Sequence, residues 1–426
     1  MYVLDKIWET HKIDEINNYD VLYIDYLILH DLTSLRAFQN ILKNNRTVFS
    51  PNKVFVIPDH IPPFTTNPIS IKLKNIIFQL SNELKLNYID YSHKAYGISH
   101  LVLNDLGIAE KDSIIAGGDS HIISAGAYGL LSFALGSSDI ERILLTQSLP
   151  VKKPDYFAVN IIGKKNKFVT EFDIMLEINK FLSKKPVKAK VVIFTGDYVN
   201  NLTYDDKATL CGLSAESGVF SSFILNKNNK FDILRENITV YNFNISNINP
   251  KITFTTSPKI SINIDETIPT YNDLLPITKR EYLKGLDYMG LKIGESLIGK
   301  KIQKVFIGSC TGAKYDDIAK AEIIIRGKKI NPNIKAYLSV GSNSIYDKAY
   351  KNGIIESFKQ AGFQILHPGC SMCTSLGNIN ITQKEYIVST ISRNYEGRQG
   401  YGVRTLLASP VSAAWFSLEG RIIKYY

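Results

Sequence analysis

Short β-branched runs alternate along the chain with stretches of helical period, a pattern that predicts an α/β protein. Several apolar runs stop abruptly in polar residues. Val54-Phe55-Val56-Ile57 leads into Pro58-Asp59-His60, and Ser113-Ile114-Ile115-Ala116 into Gly117-Gly118-Asp119-Ser120-His121. Val305-Phe306-Ile307 leads into Gly308-Ser309-Cys310-Thr311, and Phe363-Gln364-Ile365-Leu366 into His367-Pro368-Gly369-Cys370. Tyr386-Ile387-Val388 leads to Arg393-Asn394 and on to Gly397-Arg398. Ligands of open α/β sheets bind outside the carboxyl ends of the strands. Junctions carrying Asp, His, Cys and Arg therefore predict a site shared by several α/β units.

No internal repeat of roughly 20–50 residues marks a solenoid. Two stretches read as irregular: a Lys-rich one with Pro154 and Pro186, and Asn247 to Thr278 with Pro250, Pro258, Pro269 and Pro276. They place borders near residues 155 and 275, giving domains 1–155, 156–275 and 276–426. Ile122 to Ser138 carries no formal charge and is rich in Gly and Ser. It falls short of the roughly 20 residues of a membrane span, and a buried core helix is expected there.

Composition narrows the class. At roughly 150 residues per domain, 426 residues suit two or three domains. Apolar residues at 45% and charged residues at 21% exclude disorder, collagen and coiled coil for the chain as a whole. Asp5, Lys6, Glu9, Lys12, Asp14 and Glu15 leave no apolar core for a signal peptide. A cytoplasmic, reducing compartment is expected. The net charge of +10 comes with scattered pairs such as Lys164-Lys165, Lys184-Lys185, Lys300-Lys301 and Lys328-Lys329. No aromatics interleave them, so a nucleic-acid face is not indicated; attraction of a small polyanionic substrate is the other functional reading.

The four cysteines, Cys211, Cys310, Cys370 and Cys373, are too few for a disulfide scaffold. Cys370-Ser371-Met372-Cys373 is a C-x-x-C pair, and with Cys310 it could hold an iron–sulfur cluster or zinc; a redox dithiol and unrelated buried cysteines are the other readings. Cys211 lies in an apolar setting and reads as a buried structural thiol; otherwise it or His367 would be a fourth ligand. Three thiolates without a fourth leave a metal vertex open for Lewis-acid work. Among seven histidines, His60 follows Asp59, His121 follows Asp119 by two, and His100 closes Gly97-Ile98-Ser99-His100. A histidine beside a carboxylate suits proton transfer. Arg393 and Arg398 share a Gly-bearing loop, and Arg is the natural bidentate partner of carboxylates. Three thiolates, several histidines and two arginines suit a small di- or tricarboxylate and metal-assisted chemistry at a hydroxyl.

In this order and spacing the motifs resemble the aconitase superfamily, and within it the large subunits of 3-isopropylmalate dehydratase. The resemblance begins at Leu22-Tyr23-Ile24-Asp25 and His30-Asp31-Leu32-Thr33-Ser34, followed by Ala37-Phe38. It runs through Asp59-His60, Gly97-Ile98-Ser99-His100, Gly118-Asp119-Ser120-His121, Gly308-Ser309-Cys310-Thr311 and Gly369-Cys370-Ser371-Met372-Cys373. It ends at Arg393-Asn394-Tyr395-Glu396-Gly397-Arg398-Gln399-Gly400 and Ser409-Pro410.

The resemblance implies three aconitase-like α/β domains around a [4Fe–4S] cluster ligated by Cys310, Cys370 and Cys373. It implies a reversible dehydration and rehydration of a malate-like hydroxy-dicarboxylate, by default 3-isopropylmalate, a step of leucine biosynthesis. His60 oriented by Asp59 would be the acid, supported by His100 with Asp119 and His121 with Glu216. His30, Ser120, Arg393 and Arg398 would contact substrate. The small swivelling domain of the family is missing before the end at Tyr426, which implies a separate small-subunit partner.

This sequence departs from the family at several positions. Asparagine is expected at Gly212, Gly312 and Ser392, threonine at Ile122, histidine at Ala125, and Arg-His at Tyr26-Leu27. Changes around a metal's ligands typically alter affinity or activity by roughly 10–100-fold per partner. The alternatives are a paralogue with another hydroxy-acid substrate, a non-catalytic cluster-bearing or apo binding protein, and a structural zinc protein.

Overall fold

The computed structural model describes residues 3–225, 238–272, 277–377 and 382–426. They form two compact units, Met1–Ile162 with Val187–Asn244, and Gly163–Pro186 with Ile245–Tyr426.

The first unit opens on a small antiparallel sheet of β1 (Lys12–Ile16), β2 (Tyr19–Tyr23) and β8 (Ser148–Val151). A parallel sheet follows, made of β3 (Tyr26–Leu29), β4 (Val54–Val56), β5 (Asn87–Tyr88), β6 (Ile114–Gly117) and β7 (Leu131–Ala134). Its order is β5-β4-β3-β6-β7. The chain builds outward from β3 to β5 and then returns to lay β6 on the other side of β3. The loops after β3 and β6 thus leave a topological switch point, where α/β sheets bind ligands. β6 is buried at every position, as expected for a strand covered on both faces. The helix Pro68–Glu83 starts on Asn67, whose side chain accepts from the amides of Ile69 and Ser70, with Pro68 in the first turn. A second parallel sheet, β11-β10-β9-β12, joins β9 (Tyr156–Ile162), β10 (Val191–Thr195), β11 (Ser221–Ile224) and β12 (Thr239–Asn244).

The second unit is built on β15 (Lys304–Ile307), β16 (Lys335–Ser339), β17 (Gln364–Leu366), β18 (Tyr386–Ser389) and β19 (Arg404–Leu407). All are parallel, in the order β17-β16-β15-β18-β19. The same outward-and-return path places a switch point between β15 and β18. Ile252, Phe254, Tyr282, Leu338 and Phe416 are among the residues of its core.

All the apolar runs singled out in the sequence are strands or end in one, and their polar residues follow the carboxyl ends. Two expectations need correction. Ile122 to Ser138 is not one core helix. It is the 3-10 stretch Ser120–Tyr128, then β7, then the start of the helix Ser137–Thr146. Gly129, at φ 81°, stops the first piece. Gly126 lets it lie against β11, because a Cβ there would sit 2.0 Å from the Ser222 carbonyl oxygen. The irregular stretch from Asn247 holds an antiparallel ribbon of β13 (Lys251–Thr253) and β14 (Ser261–Asn263). The border near 155 falls in the link between β8 and β9; Pro276 and the border near 275 lie outside the described residues. No helix among the described residues is long and apolar enough to cross a membrane.

Candidate active site

In the first unit, the loops after β3, β4, β5 and β6 bring four histidines and their carboxylates together. Asp59 and His60 follow β4. His60 Nδ1 lies 2.7 Å from Asp59 Oδ1, and Asp59 Oδ2 accepts from the Ser99 amide at 2.7 Å. Burial opposes charge on His60, but Asp59, with Asp31 and Asp119 beyond it, outweighs burial and holds the imidazole up at about 10. Asp59 is correspondingly held below the ordinary carboxylate range: burial opposes this, and His60 outweighs it. The proton on His60 Nδ1 is tied to Asp59, which leaves Nε2 to deliver one; it stands 3.7 Å from Asp119 Oδ2.

Asp119 caps the 3-10 stretch, its Oδ1 accepting from the His121 amide at 2.6 Å. The His121 ring lies between two carboxylates: Nδ1 is 3.3 Å from Asp119 Oδ1 and Nε2 is 3.2 Å from Glu216 Oε1. Burial opposes its charge, yet the pair holds it up at about 9. Glu216 comes from the 3-10 turn Ser214–Ser217, after the helix Tyr204–Leu213. His100 is different. It is 2% exposed, and among the described residues neither ring nitrogen has a hydrogen-bond partner. Its Nδ1 is 3.9 Å from Asp119 Oδ1, too far for a bond. Burial pushes it down to about 4, and Asp119 does not offset this.

His30 follows β3 and stacks on His60, ring centroids 4.4 Å apart. Its Nδ1 accepts from the Leu32 amide at 3.2 Å, and its Nε2 faces Thr33 Oγ1 at 3.3 Å. Gly118 permits this approach, since a Cβ there would sit 2.1 Å from Thr33 Oγ1. Ser120 is half-buried, its Oγ 3.4 Å from His121 Nδ1.

In the second unit the thiols gather beyond β15 and β17. Ser309, at φ 66°, turns the chain after β15 in a left-handed conformation costly for a residue with a Cβ. Its hydroxyl donates to Cys373 Sγ at 3.4 Å and lies 3.8 Å from Cys310 Sγ. Cys370 and Cys373 form one turn, the Cys373 amide donating to the Cys370 carbonyl at 2.9 Å. Gln399 fastens that turn by donating to the Met372 carbonyl at 2.8 Å. Arg398 Nη2 donates to Cys373 Sγ at 3.1 Å and Nη1 to the Tyr395 hydroxyl at 3.1 Å. Arg393 is half-buried in the loop after β18. Cys211 is buried on its helix, and burial pushes its thiol up to about 12, as a structural thiol requires. His367 is exposed. Three soft donors, two of them in one turn, with a hydroxyl and a guanidinium on the sulfurs, fit an iron–sulfur cluster.

The expected pairs Asp59–His60 and His121–Glu216 form, whereas His100 and Asp119 are neighbours without a bond. Sequence reasoning missed Asp31, Ser309 and Gln399. Asp31 carried a usable signal, an Asp beside a His directly after a strand. Ser309 and Gln399 carried none, because their use depends on how two loops meet.

A family model described as the aconitase family (aconitate hydratase) matches residues 5–238 and 237–420. The chain is 32% identical over 454 residues to the 3-isopropylmalate dehydratase large subunit of Bacteroides fragilis, covering 99% of this chain and 98% of that protein. It is 31% identical over 455 residues to the protein of the same name from Cytophaga hutchinsonii, again covering 99% and 98%. Among solved structures it resembles Thermococcus kodakaraensis aconitase X in its holo-form, with a TM-score of 0.55 at 11% identity over 100% of this chain and 93% of that one. At that identity the likeness speaks for the fold alone.

Proposed function

The chain belongs to the aconitase family, as a hydro-lyase with the family's α/β fold, and from that premise we propose that it is the large subunit of a [4Fe–4S]-dependent dehydratase. The substrate is a malate-like hydroxy-dicarboxylate, 3-isopropylmalate by kinship with the dehydratase large subunits. A separate small subunit completes the enzyme, as their name implies. We place it in the cytoplasm and assign three domains, 1–155, 156–275 and 276–426, one for each large parallel sheet.

Cys310, Cys370 and Cys373 would hold the cluster, and Ser309 and Arg398 would steady Cys373. A cluster held there supplies Lewis-acid activation of a substrate hydroxyl. His60, its Nδ1 fixed on Asp59, gives the departing hydroxide a proton from Nε2. His121, charged between Asp119 and Glu216, and His100, neutral, supply an acidic and a basic imidazole side by side, their rings 6.1 Å apart. His30 and Ser120 flank this group, and Arg393 and Arg398 offer forks to carboxylates.

The observation that carries this reading is the Ser309 hydroxyl set against Cys310 and Cys373 from two different loops, in a chain matched by the family model almost end to end. The test is iron and acid-labile sulfide content after anaerobic purification, then electron paramagnetic resonance after mild oxidation. Expected are near four irons per chain, a [3Fe–4S] signal, and dehydration of 3-isopropylmalate once a small subunit is added. Cys373→Ser should lose the cluster. Little iron after reconstitution of a folded chain would refute the reading.

A further inference from the structure

Asp31 has no role in the chemistry above, yet it is 0% exposed and lies directly beyond β3. Its two oxygens are used differently. Oδ2 accepts from the amide of Ile61, the residue after His60, at 2.7 Å. Oδ1 is buried with no hydrogen-bond partner among the described residues. It stands 3.7 Å from His30 Nδ1 and 3.7 Å from His60 Nδ1. His30 Nδ1 cannot donate to it, because that nitrogen already accepts from the Leu32 amide. The donor facing the orphaned oxygen is therefore His60 Nδ1–H, now engaged by Asp59 at 2.7 Å.

A buried carboxylate oxygen without a bond is expensive and persists where its charge is used. The titratable groups facing His60 are Asp59 and Asp31 at Nδ1 and Asp119 at Nε2, with the His30 ring against its face and the neutral His100 within electrostatic reach. Among the described residues facing it, the imidazolium is the one cation.

We propose that Asp31 is a positioning residue for the acid: through Ile61 it pins the His60 loop, and through Oδ1 it gives Nδ1–H a second carboxylate. His60 then stays cationic until its Nε2 proton is taken, and reprotonates readily afterwards. Rotation of the ring exchanges one acceptor for the other without stranding the charge. This rests on the assignment of His60 as acid, but its first readout does not need turnover.

The test is imidazole titration by nuclear magnetic resonance on the full chain labelled in histidine, with His60 assigned by the signal lost in His60→Gln. Asp31→Asn keeps an acceptor for Ile61 and removes the charge. The His60 midpoint should fall by about one pH unit or more, a tenfold loss of proton affinity. Asp31→Glu, which keeps the charge, should stay within about half a unit of the parent. In the complete enzyme, Asp31→Asn should lower kcat more than it changes KM and move the alkaline limb of the rate profile the same way. Should Asp31→Asn not fold, Asp31→Ser gives the same reading. A midpoint unmoved in a folded charge-removing variant, or moved equally in Asp31→Glu, overturns the proposal. An inactive parent with the expected titration shift would instead count against the dehydratase reading, while upholding Asp31 as the second carboxylate that holds the His60 proton.

Discussion

Gly212 and Gly312 both stand where the resemblance expects asparagine, but the structure treats them oppositely. A Cβ on Gly312 would lie 2.2 Å from Thr390 Oγ1 and 2.5 Å from Thr390 Cβ. Thr390 is not free to withdraw, because its hydroxyl accepts from the Gly308 amide and donates to the Gly308 carbonyl, each at 2.8 Å. Overpacking costs roughly 1–3 kcal/mol, and each buried hydrogen bond lost adds about 1 kcal/mol. Gly312→Ala should therefore destabilise the chain by about 2–4 kcal/mol. Among the described residues beyond its own helix, a Cβ on Gly212 meets only Ser124 Cβ, at an ordinary 3.4 Å, near the end of the helix Tyr204–Leu213. Alanine there should stabilise by up to about 1 kcal/mol through helix propensity. Urea unfolding of the two variants beside the parent, at one pH, measures both. Shifts of the same sign, or Gly312→Ala within about 0.5 kcal/mol of the parent, would show that Thr390 does not fill the space of the missing amide.

The histidine contribution to stability should peak near pH 6.5. His60 and His121, held up at about 10 and about 9, stabilise fully below their unfolded value of 6.5 and lose that contribution as pH rises through their folded values. His100, held down at about 4, binds its proton more readily when unfolded, so its contribution falls as pH drops from 6.5 towards 4. Each imidazole gives a slope of up to about 1.4 kcal/mol per pH unit, and urea midpoints across the range check it; a plateau through neutral and alkaline pH would contradict the assigned charges. Arg398→Lys should keep the cluster but weaken substrate binding, because one ammonium cannot serve Cys373, Tyr395 and a carboxylate as a planar fork does. Unchanged KM in the complete enzyme would remove Arg398 from the substrate clamp.

The strands were legible because apolar runs ending in polar clusters report a buried strand and its exposed carboxyl end together. That rule located Asp59, His60, Asp119, Cys310 and Cys370 without any contact being known. It failed at Ile122 to Ser138, where Gly126 allows a close backbone approach to β11 that no periodicity encodes. It was silent on Ser309, whose left-handed turn aims a hydroxyl at a thiol 64 positions away. It also gave Arg398 only one partner class, carboxylates, whereas the fork also reaches Cys373. What the sequence hides is pairing between loops, since each loop must first be placed by its own sheet.

His100 shows how such a site differs from a core. A neutral imidazole carries one donor and one acceptor, and leaving each buried and unpaired costs about 1–3 kcal/mol. Neither His100 nitrogen is paired among the described residues, so the ring subtracts from stability where an apolar side chain would add to it. Residues that break a local rule without structural return belong to function, and removing them trades activity for stability. His100→Leu should therefore leave the chain as stable as the parent or more so, while abolishing turnover in the complete enzyme. His121→Leu is the contrast. It strands Asp119 and Glu216 without their shared cation and should cost about 3–5 kcal/mol. Urea unfolding separates the two. If His100→Leu destabilised the chain as much as His121→Leu, His100 would be a structural residue, and the pairing of a neutral with a charged imidazole would not be a device of the site.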